Sequence, residues 1–458
     1  MARRSAIPNV DIDLIRILDL LQTLVTPAMC QAAFGRVRTT ERQRKWSLDT
    51  LVRFWTAVIL RAPKALTQAL IDSVERRDLL FPQVDASAAA FFQRCRSLRP
   101  AFFAEVFRLF TARLLEMAPL RYAAPTAAIQ TRFAAIVLID GSRLDAIARR
   151  LKILWDQRAV VLPGCLLAIY DLGRGLCRAL YFSADAAAGE MTRAKAALKD
   201  LARDILVIGD RLYCTGDFFA ALTAQHCWGL MRRHRQLSLR KLERRRKRRY
   251  RGGRLEEWLV EAGSGQRVAV QSLRYICWRQ GDTRYELLTN VLESSRLSAE
   301  EALSLYPYRW SIERMFFDLK EVLNLKHFYA ANPNAVAMQV YAAAIVYNAL
   351  RLAQGEAAAV GGIDPEEISP AKFYPKVAAA STIYLHRQQW EEELRHRYPR
   401  THFRLIEPRS EPWARTGLPL LCREKRRGIR RKRRFCRARR RWKSLAHVRG
   451  GKRLIHLS

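Results

Sequence analysis

Apolar residues recur every three to four positions over the first 120 residues of the chain. Ile12, Ile15 and Leu18 open the pattern and Phe102, Val106, Phe107, Leu109 and Phe110 close it. That spacing predicts a run of amphipathic helices. One of them, capped by Ser87 and running to Leu98, is expected to turn Phe92 and Cys95 inward and Arg94, Arg96 and Arg99 outward. It reads equally as the reader of a helix-turn-helix or as a member of a plain basic bundle. From Thr131 the period changes. Ala134–Asp140 is a continuous apolar run ending in an acid, the pattern of a buried strand. Cys165–Asp171 and Leu176–Phe182 flank Gly173 and Gly175 as a hairpin. A helix from Glu190 to Leu201, a buried strand Ile205–Asp210, a helix Phe218–Gln225 and a strand Trp228–Met231 follow.

The alternation of strand and helix predicts an α/β core with a mixed sheet. Arg232–Arg251 is too crowded with cations to form a core helix. Beyond it, Arg267–Trp278 and Arg284–Asn290 read as strands around a Gly281-Asp282 turn. Ser298 and Glu301 form a capping box for the next helix, and Ala335–Leu352 is a strongly apolar helix. Three regions are expected: an all-α domain over 1–125, a mixed-sheet domain over 130–355 with a β-rich insertion at about 234–285, and a C-terminal region over 356–458. The last region carries a basic run, Arg423–Lys443, expected to be disordered in isolation.

Charge narrows the class of partner. The 458 residues are half hydrophobic, enough for a sizeable core, yet the net charge is +38. Excess charge of that size calls for a polyanion, so DNA or RNA is the expected partner. The nine cysteines form no C-x-x-C pair and none has zinc-finger spacing to a histidine, which points to thiols in a reducing cytoplasm. Met-Ala-Arg-Arg-Ser is followed by no secretory h-region, and charges interrupt the longest apolar stretches, so no membrane span is expected.

The chemistry concentrates in Tyr306–Lys320. As a helix at 100° per residue this segment places Arg309, Glu313 and Lys320 within about 40° of one another, with Tyr306 just upstream on the same side. Ile312, Met315, Leu319 and Val322 form a separate apolar stripe for anchoring. Asp140 and Asp210 both end predicted buried strands, where open α/β sheets place their ligand sites. Three such carboxylates suit Mg²⁺ or Mn²⁺, and two ions would serve phosphodiester displacement. Other acids invite plainer readings. Asp318 projects about 140° from Glu313 and is expected in solvent. Asp171 is expected to form a turn and Glu190 to favour a helix N-terminus. Asp145, Asp204 and Glu321 are further acids that could be mistaken for ligands.

These motifs resemble those of the IS4-type DDE transposases. Tyr306, Arg309, Glu313 and Lys320 fit that family's Y-x2-R-x3-E-x6-K signature. Ile139-Asp140-Gly141-Ser142 is similar to its first acidic motif and Ile208–Tyr213 to its second, with Leu212 where a small residue is common. The similarity covers roughly residues 130 to 350. It implies an RNase H-like core, cut-and-paste transposition, and a metal-binding triad of Asp140, Asp210 and Glu313 holding two Mg²⁺ or Mn²⁺ ions. It further implies that Tyr306, Arg309 and Lys320 grip phosphates of the element end. Trp258 and Trp278 become candidates for stacking an unpaired base, against the plainer reading of sheet-face tryptophans. The partners so implied are double-stranded DNA, as terminal inverted repeats and as target, and a second copy of the chain in a synaptic complex, acting in the cytoplasm at the nucleoid. A metal-dependent DNA nuclease and a catalytically silent DNA-binding derivative are the alternatives.

Overall fold

The computed structural model describes residues 7–22, 24–37, 42, 44–144, 164–263, 270–330, 332–398 and 408–423. Asp145 and all of the basic C-terminal run beyond Arg423 lie outside the described residues. Strands β1 (Asp11–Asp13) and β11 (Arg415–Gly417) form a small antiparallel pair. The other nine make one sheet. They are β2 (Ala135–Arg143), β3 (Cys165–Asp171), β4 (Leu176–Ser183), β5 (Ile205–Gly209), β6 (Trp228–Arg232), β7 (Leu239–Tyr250), β8 (Gly253–Ala262), β9 (Gln271–Gln280) and β10 (Thr283–Thr289). Their order is β4-β3-β2-β5-β6-β10-β9-β8-β7.

Within that order, β3 and β4 follow β2 antiparallel, while β5 and β6 join β2 in parallel. This is the mixed sheet expected from the alternation of apolar runs, in the RNase H-like order that the resemblance implies. Alternate residues of β2 serve two cores. Val137 and Ile139 face one cluster with Ala194, Ala197, Phe218, Phe219 and Leu222 of the crossover helices, whereas Ile136 and Leu138 face the larger cluster on the other side. A strand buried on both faces reads as a continuous apolar run, which is why β2, β3 and β5 stood out in the sequence.

The insertion prolongs this sheet. β10 pairs with β6, and β9, β8 and β7 follow as an antiparallel meander. β7 is the departure from expectation, since Arg232–Arg251 showed only a cation-crowded segment and twelve of these residues are a strand. Every residue from Lys241 to Arg249 is exposed, so β7 is held by its ladder to β8 and by Lys241 and Arg244, which lie over the Trp258 ring at 4.3 and 5.7 Å. No apolar periodicity marks such a strand. Its positive side chains also keep the free edge of the sheet from pairing with another strand.

The N-terminal helices are α1 (Leu14–Gln22), α2 (Pro27–Val37), α3 (Leu48–Arg61), α4 (Leu66–Glu75), α5 (Ala88–Ser97) and α6 (Ala101–Met117), with a short α7 (Ala127–Gln130) before the sheet. Ser87 caps α5 as expected, its hydroxyl accepting from the Ala90 amide. The facing of α5 differs. Phe91, Arg94, Cys95 and Leu98 are buried while Phe92 is only half-buried. Phe91 sets the inward stripe and Arg94, three residues on, falls on it.

After β4 come α8 (Glu190–Ala197) and α9 (Gly216–Ala224), then α10 (Ala299–Leu305) with the expected capping box. The signature segment contains α11 (Trp310–Phe317), and α12 (Pro333–Gly361) and α13 (Pro370–Arg397) complete the fold. Residues Met1–Cys422 form one compact unit. α12 explains why: it is buried around most of its circumference and packs on α3, α5, α6 and β4, so helices and sheet share one core. Length and composition alone would let this helix cross a membrane, but 94% of its most apolar window is buried within the protein. Burial, rather than interrupting charge, accounts for it.

Candidate active site

Leu138 of β2 is paired with Ile208 of β5, so Asp140 and Asp210 occupy equivalent positions two residues further along adjacent parallel strands. Both carboxylates therefore emerge together at the C-terminal end of the sheet. Asp140 Oδ1 accepts from the Gly141 amide at 2.9 Å, and Asp210 Oδ1 accepts from the Leu212 amide at 2.7 Å. Burial and the neighbouring Asp210 charge push the Asp140 carboxyl up to about 7, with Glu190 adding to the rise and Arg309 opposing it. Two like charges thus share a partly desolvated pocket of the surface.

The signature segment is not one regular helix. Tyr306–Arg309 is a 3₁₀ turn containing Pro307, Trp310–Phe317 is α-helical, and Asp318–Val322 is a π-turn. Ile312, Met315 and Leu319 are fully buried and anchor the segment as expected. From that anchor Glu313 reaches the site with its side chain 39% exposed. The Arg309 guanidinium stands between the acids, 2.6 Å from Glu313 Oε1 and 3.8 Å from Asp140 Oδ2. Tyr306 is buried and donates its hydroxyl to the Gly209 carbonyl at 3.1 Å, tying the signature to the end of β5. Lys320, carried on the π-turn, donates to Ser142 Oγ at 2.8 Å and to the Arg143 carbonyl at 2.7 Å, at the end of β2. Widened turns of this kind re-aim side chains and recur at functional sites.

The structure thus brings Asp140, Asp210, Glu313, Tyr306, Arg309 and Lys320 to one strand-end surface. Among the described residues no three acid, histidine or cysteine side chains enclose an ion as they lie; Glu313 is engaged by Arg309 instead. Trp258 and Trp278 stand on the insertion strands β8 and β9, and Trp278 is the ladder partner of Tyr285, whose ring is 5.8 Å from that of Tyr306. Trp258 lies under Lys241 and Arg244, and Trp278 donates its indole N–H to the Tyr250 carbonyl at 2.8 Å. Asp318, expected in solvent, is buried. The side of the segment away from Glu313 is covered by α12 and α13, so distance from the acidic face did not mean exposure. Asp171 forms the expected turn, accepting from the Arg174 amide at 2.9 Å.

Three neighbours make contacts that the sequence does not show, Glu190 among them although its place at a helix N-terminus is expected. Trp310 is 59% exposed beside the acids, with the Arg309 guanidinium 4.4 Å from its ring centre. Arg232, at the end of β6, lies 5.0 Å over Tyr285, whose ring stands 5.8 Å from that of Tyr306. Glu190 opens α8 as expected, but its carboxylate accepts from the Tyr213 hydroxyl at 2.6 Å and packs on Gly141. The first two were legible as an aromatic and a cation beside motifs already singled out. The third was not, because only the crossover of α8 brings it there.

Residues 163–349 match the family described as "Transposase DDE domain", a segment that contains Asp210 and Glu313 and begins after Asp140. A protein of Synechocystis sp., provisionally named as a transposase for insertion sequence element IS4SA, is 32% identical over 83 residues, 17% of this chain and 25% of its own length. A provisionally named transposase y4zB of Sinorhizobium fredii is 41% identical over 73 residues, 16% of this chain and 19% of its own length. The chain therefore spans a quarter or less of the curated relatives it matches. Among solved structures, a piggyBac transposase synaptic complex with hairpin DNA aligns over 87% of this chain and 88% of that one at 10% identity, with a TM-score of 0.37. Over residues 163–349 the chain is thus similar to the transposase DDE domain, and the curated relatives that it matches in part are named as transposases.

Proposed function

We propose that the protein is a DNA transposase that cleaves the ends of a mobile element and joins them to target DNA. The observation that carries this reading is the placement of Asp140 in β2 and Asp210 just past β5, each two residues beyond the last parallel pair of those strands, with Glu313 delivered beside them from an anchored helix. Carboxylates alone, crowded until one of them holds a proton near neutrality, fit a hard divalent cation. Mg²⁺ is the proposed ion, Mn²⁺ its substitute, and two such ions would supply activation of the attacking hydroxyl and relief of charge on the leaving oxygen.

The protein's own groups do the rest. Arg309 forks across a backbone phosphate and in doing so leaves Glu313 free for the cation. Lys320 adds a point charge at the end of β2, and Tyr306 keeps the signature docked on β5. Trp310, exposed and in contact with Arg309, offers an indole for an unstacked base alongside Trp258 and Trp278. The cations of β7 run along the outer edge of the sheet and would follow duplex phosphates without reading sequence. Inverted repeats as substrate, a homodimeric synaptic complex and action in the cytoplasm at the nucleoid complete the proposal.

The test is an in-vitro reaction of the full chain with the DNA flanking its gene in Mg²⁺. Strand-specific nicks at the element ends and joined products are expected, and Asp140→Asn, Asp210→Asn and Glu313→Gln should each abolish them. Cleavage of branched DNA lacking the repeats would point to a nuclease instead. A stable shift of end DNA without any cut, in Mg²⁺ or Mn²⁺, would point to a binding protein.

A further inference from the structure

Glu190 has no part in the triad, yet it is held beside it from several sides. It is the first residue of α8, where the helix dipole favours a carboxylate. Tyr213, three residues past Asp210 and fully buried, donates its hydroxyl to Glu190 Oε1 at 2.6 Å. The carboxylate rests on the backbone of Gly141, the residue after Asp140, so closely that any Cβ there would collide with it. Tyr213 in turn packs on Gly209, the residue before Asp210. Each aspartate thus adjoins a glycine against which one member of the Glu190–Tyr213 pair is seated. A helix cap needs neither the buried phenol nor the missing side chain at position 141.

We propose that Glu190 is a positioning residue of the acidic centre, its charge fixed by Tyr213 against Gly141 so that Asp140 and Asp210 hold a divalent cation more tightly. It acts through Asp140 and is not counted as a ligand. Its negative charge bears on Asp140, which Asp210 already crowds. A third negative charge is unfavourable for the empty pair and favourable once a doubly charged cation sits between them. Gly141 follows from the same geometry: it is the space the Glu190 carboxylate fills.

The inference rests on the metal-centre reading above, and one titration separates the two. Mn²⁺ binding to the full chain without DNA is measured by calorimetry or electron paramagnetic resonance. Glu190→Gln keeps an acceptor for Tyr213 and removes only the charge, so a structural role would leave Mn²⁺ affinity unmoved. About a tenfold weaker affinity is expected at an unchanged melting temperature. Tyr213→Phe keeps the charge and should weaken binding less. Gly141→Ala, which retains every acid but displaces Glu190, should weaken it as Glu190→Gln does, and it serves as the second route if Glu190→Gln unfolds. Wild-type Mn²⁺ affinity in Glu190→Gln or Gly141→Ala, with Asp140→Asn no longer binding, would overturn the role of Glu190 alone. Wild-type affinity in Asp140→Asn as well would overturn the centre itself.

Discussion

Arg309 occupies the place where a cation and a phosphate would have to meet. Its guanidinium neutralises Glu313 at 2.6 Å and faces Asp140 at 3.8 Å, so in the free protein it competes with any ion for both acids. A DNA phosphate that draws Arg309 away removes that competition, which makes cation binding and DNA binding mutually supportive. Because the coupling is reciprocal, end DNA should raise Mn²⁺ affinity, and Mn²⁺ should raise DNA affinity, by the same factor of about ten. Arg309→Ala should bind Mn²⁺ more tightly than wild type without DNA and lose the coupling; a titration with equal Mn²⁺ affinity in both proteins would refute the competition. Asp140 gives a second expectation at this scale. Its carboxyl is raised to about 7 in the fold, first by burial and then by Asp210, from an ordinary value near 3.8. Between those values the folded protein binds the extra proton, so this group favours the fold most at low pH and that contribution fades as pH rises from about 4 to 7. Asp140→Asn should therefore stabilise the metal-free protein at pH 8, by about 1–3 kcal/mol, and the gain should vanish near pH 4. Chemical denaturation in chelator at the two pH values would show it.

At the scale of the element, β7 is a strand made by its partner. Arg244, Arg246, Lys247, Arg248 and Arg249 face Trp258, Glu257, Glu256, Leu255 and Arg254 of β8 across the ladder, and all five are exposed. Replacing Arg246, Lys247 and Arg249 with glutamine should leave the ladder intact, since the backbone makes it. DNA binding should weaken for every sequence alike, and the slope of log affinity against log salt should fall by about one per lost phosphate contact. An unchanged slope would mean that β7 is merely a solvated edge. The same strand shows where sequence stops being legible. Runs such as Ile136–Ile139 and Ile205–Ile208 announce themselves because both their faces are buried, and the signature's apolar stripe announces its anchored face. β7 carries no burial pattern of its own, so only the pairing across β8 reveals it. Arg94 and Asp318 were misplaced for a related reason. Helical periodicity gives the angle between residues, not how many neighbours pack around the helix, and α12 and α13 enclose sides that the pattern left to solvent. Glu190 is legible as a helix N-terminus, but its contact with Gly141 is not, being set by the crossover between β4 and β5.

Across the whole molecule, the strands of the large sheet and the N-terminal helices are bound by polar contacts that only a single core would require. Asn348 on α12 is fully buried; its side chain accepts from the Cys177 amide at 2.8 Å and donates to the Cys177 carbonyl at 2.9 Å and to Thr111 on α6 at 3.1 Å. It thereby joins β4 to a helix of the region that sequence had set apart as its own domain. Arg351, one turn along, donates to the Gly175 carbonyl at 3.1 Å, to Tyr170 at 3.0 Å and to Glu366 at 2.7 Å, while its guanidinium covers Tyr122 at 4.1 Å. Truncating a buried, fully bonded guanidinium strands its partners, so Arg351→Ala should cost about 3–5 kcal/mol although it is remote from the acids. The larger consequence concerns excision. A fragment over residues 127–422 keeps Asp140, Asp210 and Glu313 but exposes the faces of α12 and β4 that α3, α5 and α6 cover, together with the Thr111 partner of Asn348. Apolar surface on that scale cannot stay in water, so the fragment should aggregate or lack a cooperative thermal transition, while residues 1–422 melt in one. Calorimetry of the two lengths decides it: a fragment that melts cooperatively at the temperature of the longer chain would show that the sheet is a domain in its own right.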